Sequence, residues 1–182
     1  MHESTAENLR SAFGGESMAH MRYKVWSDRA EKEGFPNVAR LFRAIARAEQ
    51  SHATGHFTAM KDVPGAFLVA SAGGFGLDGT SQNLQGAIDG ELHEVNEMYP
   101  AYLEVAKMQD EKAAQRSMGY ALEAEKIHAE MYSKAKQAVD SGKDVELGPV
   151  HICEVCGYTV EGDCPDVCPL CNVKRDRFVS FE

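Results

Sequence analysis

The chain has 182 residues and a formal net charge of -9. This acidity argues against non-specific nucleic-acid binding, which depends on clusters of lysine and arginine. The amino terminus lacks a basic segment followed by an apolar run, and no apolar stretch approaches membrane-spanning length. We therefore expect a cytoplasmic protein that has neither nucleic acid nor a membrane as its partner.

The composition changes late in the chain. All five cysteines follow Gly148, whereas the first 140 residues are rich in alanine, glutamate, methionine and leucine. An odd number of cysteines without a signal peptide favours metal binding or redox chemistry over a disulfide framework. We predict a main domain over residues 1–142, a linker over 143–150 and a small domain over 151–182.

The first predicted helix runs from Ser4 or Thr5 to about Glu33, where Gly34 ends it. Along this helix Glu16 falls at a position where the apolar stripe calls for a core residue. Glu16 is therefore a candidate metal ligand. The alternative is an exposed glutamate, which would be the preferred interpretation if the segment stood alone.

The second predicted helix begins at Pro36 and runs towards Met60, and its apolar face leads directly to Glu49 and His52. Residues three apart lie on one face of a helix, so this pair offers a metal one oxygen and one nitrogen ligand. An unpaired charge on a core stripe costs several kcal/mol, which favours a metal or another partner. His56, one turn later, is a rival ligand that ranks lower, as a histidine that either surrounds the ligands or lies on the surface.

A glycine-rich connection follows from Val63 to about Thr80. A connection of some 18 residues can span about 60 Å when extended, whereas a helix of some 27 residues is about 40 Å long. The connection can therefore cross a whole helical bundle. This predicts two helical hairpins joined by one crossover, as in the ferritin-like topology.

The third predicted helix begins near Ser81, with a kink at Tyr99-Pro100. Glu91 and Glu94 share one face of this helix. Glu97 continues the same three-residue series, so the spacing also allows Glu94 with Glu97, or a solvated acidic stripe.

The fourth predicted helix runs from about Asp110 to Ser141 and repeats the glutamate and histidine pair as Glu125 and His128. Two helices that each carry Glu-x-x-His, with a glutamate from each of the other two, are the pattern of a two-metal carboxylate bundle. Carboxylate-rich ligation favours iron or manganese over copper or a thiolate-seeking metal.

Two Cys-x-x-Cys turns, Cys153 to Cys156 and Cys168 to Cys171, lie eleven residues apart in the small domain. Two such turns present four thiolates in a tetrahedron, which suits one iron or one structural zinc. Spacing does not separate these metals, so a zinc ribbon is an equal alternative. The fifth cysteine, Cys164, is interpreted as a free thiol.

Both halves together, in this order, closely resemble the rubrerythrin family over essentially the whole chain. The resemblance implies an all-α, ferritin-like four-helix bundle with a di-iron centre, followed by a small rubredoxin-like domain of β-strands and metal knuckles. The stretches that carry it are Gly15-Glu16 through Tyr23, Ala48-Glu49 through Ala53, Gly90-Glu91 through Glu94 and on to Pro100, Glu125 through His128, and the four knuckle cysteines.

The resemblance also implies roles for single residues. It selects Glu91 with Glu94 from the acidic series of the third helix. His52 would ligate one iron in the reduced state and exchange with Glu94, and Tyr23 and Tyr99 would donate hydrogen bonds that orient carboxylates. The departure from the family pattern is Cys164. The implied ligands are Glu16, Glu49, Glu91, Glu94, Glu125 and His128 for the di-iron centre, and Cys153, Cys156, Cys168 and Cys171 for a third iron.

The function that this resemblance implies is reduction of hydrogen peroxide to water. Electrons would come through the four-cysteine iron from an external NAD(P)H-dependent reductase or a rubredoxin. No strand followed by Gly-x-Gly-x-x-Gly is predicted, so the reductase is expected to be a separate protein. We expect a homodimer in which the small domain of one subunit approaches the bundle of the other, because the linker 143–150 looks too short to fold back.

Two other classes of function compete with this interpretation. One is an iron-oxidising or storage protein of the ferritin kind, against which the appended four-cysteine module argues, since storage needs no electron inlet. The other is a non-enzymatic helical bundle with a zinc ribbon. Metal analysis separates them, because only the peroxidase interpretation expects three irons in each chain.

Overall fold

The structure, a computed structural model, describes all 182 residues. Its main part is a bundle of four helical segments, the third of which is interrupted by a π-helical turn at Glu94–Met98. The predicted four-helix architecture is confirmed. The helices are α1 Glu3–Lys32, α2 Pro36–Ala59, α3 Thr80–His93, α4 Tyr99–Met108 and α5 Lys112–Asp140.

In place of the kink predicted at Tyr99-Pro100, the structure has this π-helical turn, which comes just before α4. Proline has no N–H to donate and its ring crowds the carbonyl of residue 96, so an ordinary α-helical turn is disfavoured at this point. A π turn widens the helix by one residue and is common at functional sites. The turn begins at Glu94, one of the predicted ligands.

The connection between the two hairpins, residues 63–79, has no regular secondary structure and lies along α1. Trp26 of α1 donates its indole N–H to the carbonyl of Gly76 at 2.9 Å, and Arg22 donates to the carbonyl of Gly74 at 3.3 Å. The predicted long crossover is therefore present.

Two apolar clusters fill the bundle, and they occupy different stretches of the same helices. Along α5, Met118 belongs to one cluster, and Tyr132 belongs to the other. Glu125 and His128 lie between these residues on the buried face of the helix. Apolar packing thus closes off the polar centre of the bundle on both sides.

The small domain is a three-stranded antiparallel sheet with the strand order β2-β1-β3. Val150 and Ile152 of its central strand pack against Ala44 and Ala48 of α2. The domain therefore lies on the bundle of its own chain. The strands are β1 Val150–Cys153, β2 Thr159–Glu161 and β3 Phe178–Phe181.

This placement shows that the prediction of a linker too short to fold back is wrong. Helix α5 continues for 12 residues beyond His128, which is about 18 Å, whereas the eight residues 143–150 can span about 27 Å. The linker runs back along α2, where Asp144 accepts hydrogen bonds from the first backbone N–H groups of that helix, those of Asn37 at 2.8 Å and Val38 at 3.2 Å.

None of the helices combines the length and the hydropathy that a membrane span requires.

Candidate metal centres

The bundle interior holds six predicted ligands that are at most 3% exposed. Each helix carries its ligands on the apolar face that turns towards the core, so packing of the four apolar faces brings the polar side chains together. They are Glu16 from α1, Glu49 and His52 from α2, Glu91 from α3, and Glu125 and His128 from α5.

These residues form two groups that share two members, Glu49 and Glu125. Within each group the candidate ligand atoms lie within 4.8 Å of one another. A pair of carboxylates common to both groups can bridge two ions, as the pattern of paired Glu-x-x-His helices requires. The groups are Glu16, Glu49, His52 and Glu125, and Glu49, Glu91, Glu125 and His128.

Glu94 is the predicted ligand that the structure leaves outside both groups, whereas His52 is inside one. The His52 Nδ1 atom lies 2.9 Å from Glu49 Oε2 and 2.7 Å from Glu125 Oε1. Glu94 is half-buried, and Glu97, the competing member of the same series, is exposed. The structure therefore groups His52, and not Glu94, with the other predicted ligands.

The buried cluster carries more negative charge than its own histidines balance. Burial, followed by neighbouring carboxylates, raises the pKa values of Glu16 and Glu91 well above their usual range. Burial disfavours protonated His128, but neighbouring carboxylates, Glu125 foremost, outweigh burial and raise the pKa of this imidazole to about 9. In both cases the protein environment favours added positive charge.

Several buried polar atoms of the cluster have no hydrogen-bond partner in the chain. These atoms show whether the site is suited to two metal ions. An uncompensated buried charge costs several kcal/mol, and cations placed between the four carboxylates would remove that cost. The donor set of carboxylates and imidazoles suits iron or manganese. The carboxylate oxygens without a hydrogen-bond partner are Glu16 Oε2, Glu49 Oε1 and Glu91 Oε2.

Both predicted tyrosines contact the carboxylates. The Tyr23 hydroxyl donates to Glu91 Oε1 at 2.6 Å, and the Tyr99 hydroxyl donates to Glu16. Each bond restricts one carboxylate to a single orientation, which is the usual task of groups that surround metal ligands.

The small domain supplies a further partner, Thr159, that sequence reasoning missed. Its hydroxyl donates to the Gly157 carbonyl at 3.0 Å and lies 2.8 Å from His128 Nε2. His128 must therefore donate from Nε2, which leaves Nδ1 facing the cluster, as a metal-binding histidine requires. No spacing in the sequence could reveal this contact, because it joins two domains.

Gly157 also touches the second histidine of the cluster. A Cβ atom added at Gly157 would collide with the His52 imidazole, on the Nε2 side that faces away from the carboxylates. Gly157 directly follows Cys156, so one peptide bond joins a cysteine of the small domain to the residue that contacts His52.

His56, the rival ligand, belongs to neither group. It is fully buried, and its Nε2 lies 2.9 Å from the Tyr99 hydroxyl, while its Nδ1 lies 2.9 Å from the Ser117 hydroxyl. The histidine thus contacts the cluster through Tyr99.

The second candidate centre consists of the four knuckle cysteines, whose sulfur atoms converge. Cys153 Sγ lies 3.6 Å from Cys171 Sγ, and Cys156 Sγ lies 3.6 Å from Cys168 Sγ. Hydrogen bonding from Cys156 foremost lowers the pKa of Cys153 to about 5, so the site already favours a thiolate. Cys164 lies outside this group.

Comparison with known proteins agrees with this pair of centres. A sequence model of the family described as rubrerythrin matches residues 7–136, and a model described as the rubredoxin-like domain of rubrerythrin matches residues 151–179. Both a di-iron type of carboxylate and histidine site and a rubredoxin-like four-cysteine site are present.

Individual relatives extend the similarity to nearly the full chain. Rubrerythrin-2 of Clostridium acetobutylicum is 51% identical over 178 residues, which covers 97% of this chain and 96% of that protein. Nigerythrin of Nitratidesulfovibrio vulgaris is 32% identical over 181 residues, which covers 98% of this chain and 87% of the relative. The solved structure of fully reduced, all-ferrous nigerythrin matches with a TM-score of 0.85 at 30% identity, covering 100% of this chain and 88% of that one.

Proposed function

The chain belongs to the rubrerythrin family, and we propose that it is a non-haem di-iron peroxidase that reduces hydrogen peroxide to water. The observation that carries this proposal is the contact of the four-cysteine domain with a bundle ligand, Gly157 against His52. Such a contact would provide a path by which electrons from the four-cysteine site enter the buried centre. A ferritin-like storage protein needs no such path.

The overall reaction takes one molecule of hydrogen peroxide, two electrons and two protons, and yields two molecules of water. Two iron ions in the bundle would supply the two electrons and polarise the oxygen atoms. The carboxylates of Glu49 and Glu125, which belong to both groups, would contribute to the binding of both ions. Tyr23 and Tyr99 keep the outer carboxylates in place, and the apolar clusters close the bundle on either side of the centre along its length.

Electrons would reach the bundle from the four-cysteine iron through two contacts of the small domain. The first is Gly157 against His52, and the second is the hydrogen bond between Thr159 and His128. The salt bridge from Arg47 to Glu154, at 2.7 Å, fastens the same face of the small domain to α2. All three contacts hold the domain in one orientation over the centre.

We propose that a separate reductase or rubredoxin supplies the electrons. Gly74, Gly76 and Gly79 have the spacing of a dinucleotide-binding loop, but they lie in the crossover with no strand before them. Helix α3 begins at Thr80, directly after these glycines, but the strand that positions such a loop against a pyrophosphate is not formed.

This function is tested by reducing the iron-loaded protein fully without oxygen and then adding hydrogen peroxide to one sample and O2 to another. We expect the visible colour of the thiolate-bound iron to return quickly with one equivalent of peroxide and much more slowly with O2. Equal or faster recolouring with O2 would instead support a ferroxidase. A colourless protein with zinc in the knuckles would remove the electron inlet and the proposal with it.

The homodimer remains a prediction, now without the argument from linker length. The crossover leaves the side chains of Leu68 and Phe75 96% and 93% exposed, and a second copy of this chain would cover such apolar groups. We expect sedimentation velocity to give a dimer that Leu68→Glu with Phe75→Glu converts to monomer. A monomeric unmodified protein would contradict the prediction.

A further inference from the structure

A chain of hydrogen bonds links the di-iron centre to a cavity between the two domains. The Tyr99 hydroxyl contacts Glu16, His56 Nε2 lies 2.9 Å from that hydroxyl, and Ser117 Oγ lies 2.9 Å from His56 Nδ1. Ser117 lines a cavity of about 540 Å³ that lies between α2, α5 and the small domain and opens to solvent. The cavity also borders His52.

The direction of each hydrogen bond in this chain follows from its inner end. Tyr99 has one proton to donate and gives it to Glu16, so its oxygen must accept a hydrogen bond from His56 Nε2. His56 is fully buried, and both of its ring nitrogens hydrogen-bond to hydroxyl groups, so the neutral imidazole with a single proton on Nε2 fits this site. His56 Nδ1 must then accept the proton of the Ser117 hydroxyl.

All three donors therefore point inwards, from the cavity to the metal centre. From this order we propose that Ser117, His56 and Tyr99 form a proton relay that connects solvent in the cavity to the Tyr99 hydroxyl beside Glu16. The proposal rests on the proposed peroxidase function, because reduction of peroxide is the step that consumes protons. His56 and Ser117 are positioning and relay residues that act through Tyr99.

Each passage through the relay conserves protons and charge. As the reduction of peroxide draws the Tyr99 proton away through Glu16, its hydrogen-bond acceptor, His56 refills Tyr99 from Nε2 and receives the Ser117 proton at Nδ1. Ser117 takes a proton from water in the cavity, and a proton from bulk solvent neutralises the hydroxide that remains. Between turnovers the hydroxyl groups rotate and the imidazole proton is transferred back to Nε2, which restores the starting order.

Because Gly55 has no side chain, the Ser117 hydroxyl has the space it needs to reach His56. A Cβ atom added at Gly55 would lie 2.9 Å from Ser117 Oγ, a separation that forces the hydroxyl to move. Gly55→Ala thus disturbs the outer link of the relay while every group in the relay remains. Thr54, the adjacent residue, also lines the cavity, but its hydroxyl bonds only to the carbonyl of Gln50 at 2.7 Å.

The first test measures the single-turnover rate of peroxide reduction in His56→Gln, Ser117→Ala and Gly55→Ala, with Thr54→Ala as the matched control. Glutamine can form both hydrogen bonds of His56 but cannot pass a proton between its two ends. We expect the rate to fall by about 100-fold in the three relay variants, within the range for removal of acid–base catalysis. Imidazole in the buffer should restore the rate of Ser117→Ala, which a purely structural defect would not allow.

The second test does not depend on turnover. In the zinc-loaded full-length protein, nitrogen NMR should find the His56 proton on Nε2 and none on Nδ1, and Gly55→Ala should weaken the hydrogen bond at Nδ1. A proton on Nδ1 would overturn the relay.

Failure of the relay and failure of the proposed function are distinguishable. Relay variants with full metal content that match the unmodified protein in rate overturn the relay alone. An unmodified, iron-loaded protein that does not reduce peroxide overturns both, whatever the variants do.

Discussion

Glu125→Ala is expected to remove both bundle irons and leave the four-cysteine iron in place, so that iron content falls from three ions to one in each chain. Glu125 belongs to both ligand groups, and its oxygens lie 2.7 Å from His52 Nδ1 and 2.5 Å from His128 Nδ1. Its loss takes a shared ligand from both ions and leaves two buried imidazoles without their nearest carboxylate. We expect peroxide reduction to fall by at least about 100-fold.

Metal analysis beside the peroxide assay checks this expectation, and Glu123→Ala is the matched control. Glu123 is an exposed glutamate on the same helix and pairs with Lys126 at 2.7 Å. Its removal should change neither iron content nor rate, because exposed ion pairs contribute little. Three irons retained in Glu125→Ala would show that the two groups do not form the di-iron centre.

Gly157→Ala is expected to uncouple the two metal centres while both remain loaded. The added Cβ would collide with the His52 imidazole, so the small domain must move away from the bundle. Displacement of about 1 Å at a reacting contact can cost about 100-fold in rate, and we expect a loss of this size in the return of colour after peroxide. The di-iron centre itself should still react with peroxide.

Gly162→Ala separates this effect from backbone strain. Gly157 and Gly162 both have positive φ values, 77° and 93°, so alanine is strained at either position, but nothing lies within 4 Å of a Cβ at Gly162. Rapid mixing should give the Gly162→Ala protein nearly the original rate. Equal slowing in both variants would attribute the effect to strain in the small domain and contradict an electron path through Gly157.

Side-chain spacing was sufficient to predict the bundle and most of its buried polar residues. Glu49 with His52 and Glu125 with His128 stand three apart on apolar stripes, and such a pattern has few explanations other than a buried metal site. Spacing could not choose between Glu94 and Glu97. That choice depended on the family resemblance, and in the structure Glu97 is exposed whereas Glu94 opens the π turn.

Contacts between domains could not be predicted, because they depend on where the linker directs the small domain. The pairing of Thr159 with His128 and the approach of Gly157 to His52 join residues about 30 or 100 positions apart, with no periodic signal between them. The two partners of His56 could not be predicted for a similar reason. Its two partners lie on other helices, so the helix that carries it shows only a second histidine one turn after the first.

The most direct test of the account is to titrate the fully reduced three-iron protein with hydrogen peroxide in the absence of oxygen and of any external donor. Three irons release three electrons and each peroxide accepts two, so two chains should consume three molecules of peroxide as the thiolate-bound iron recovers its full colour. Consumption that stops at one peroxide for each chain, with the four-cysteine iron still reduced, would show that the small domain does not feed the bundle.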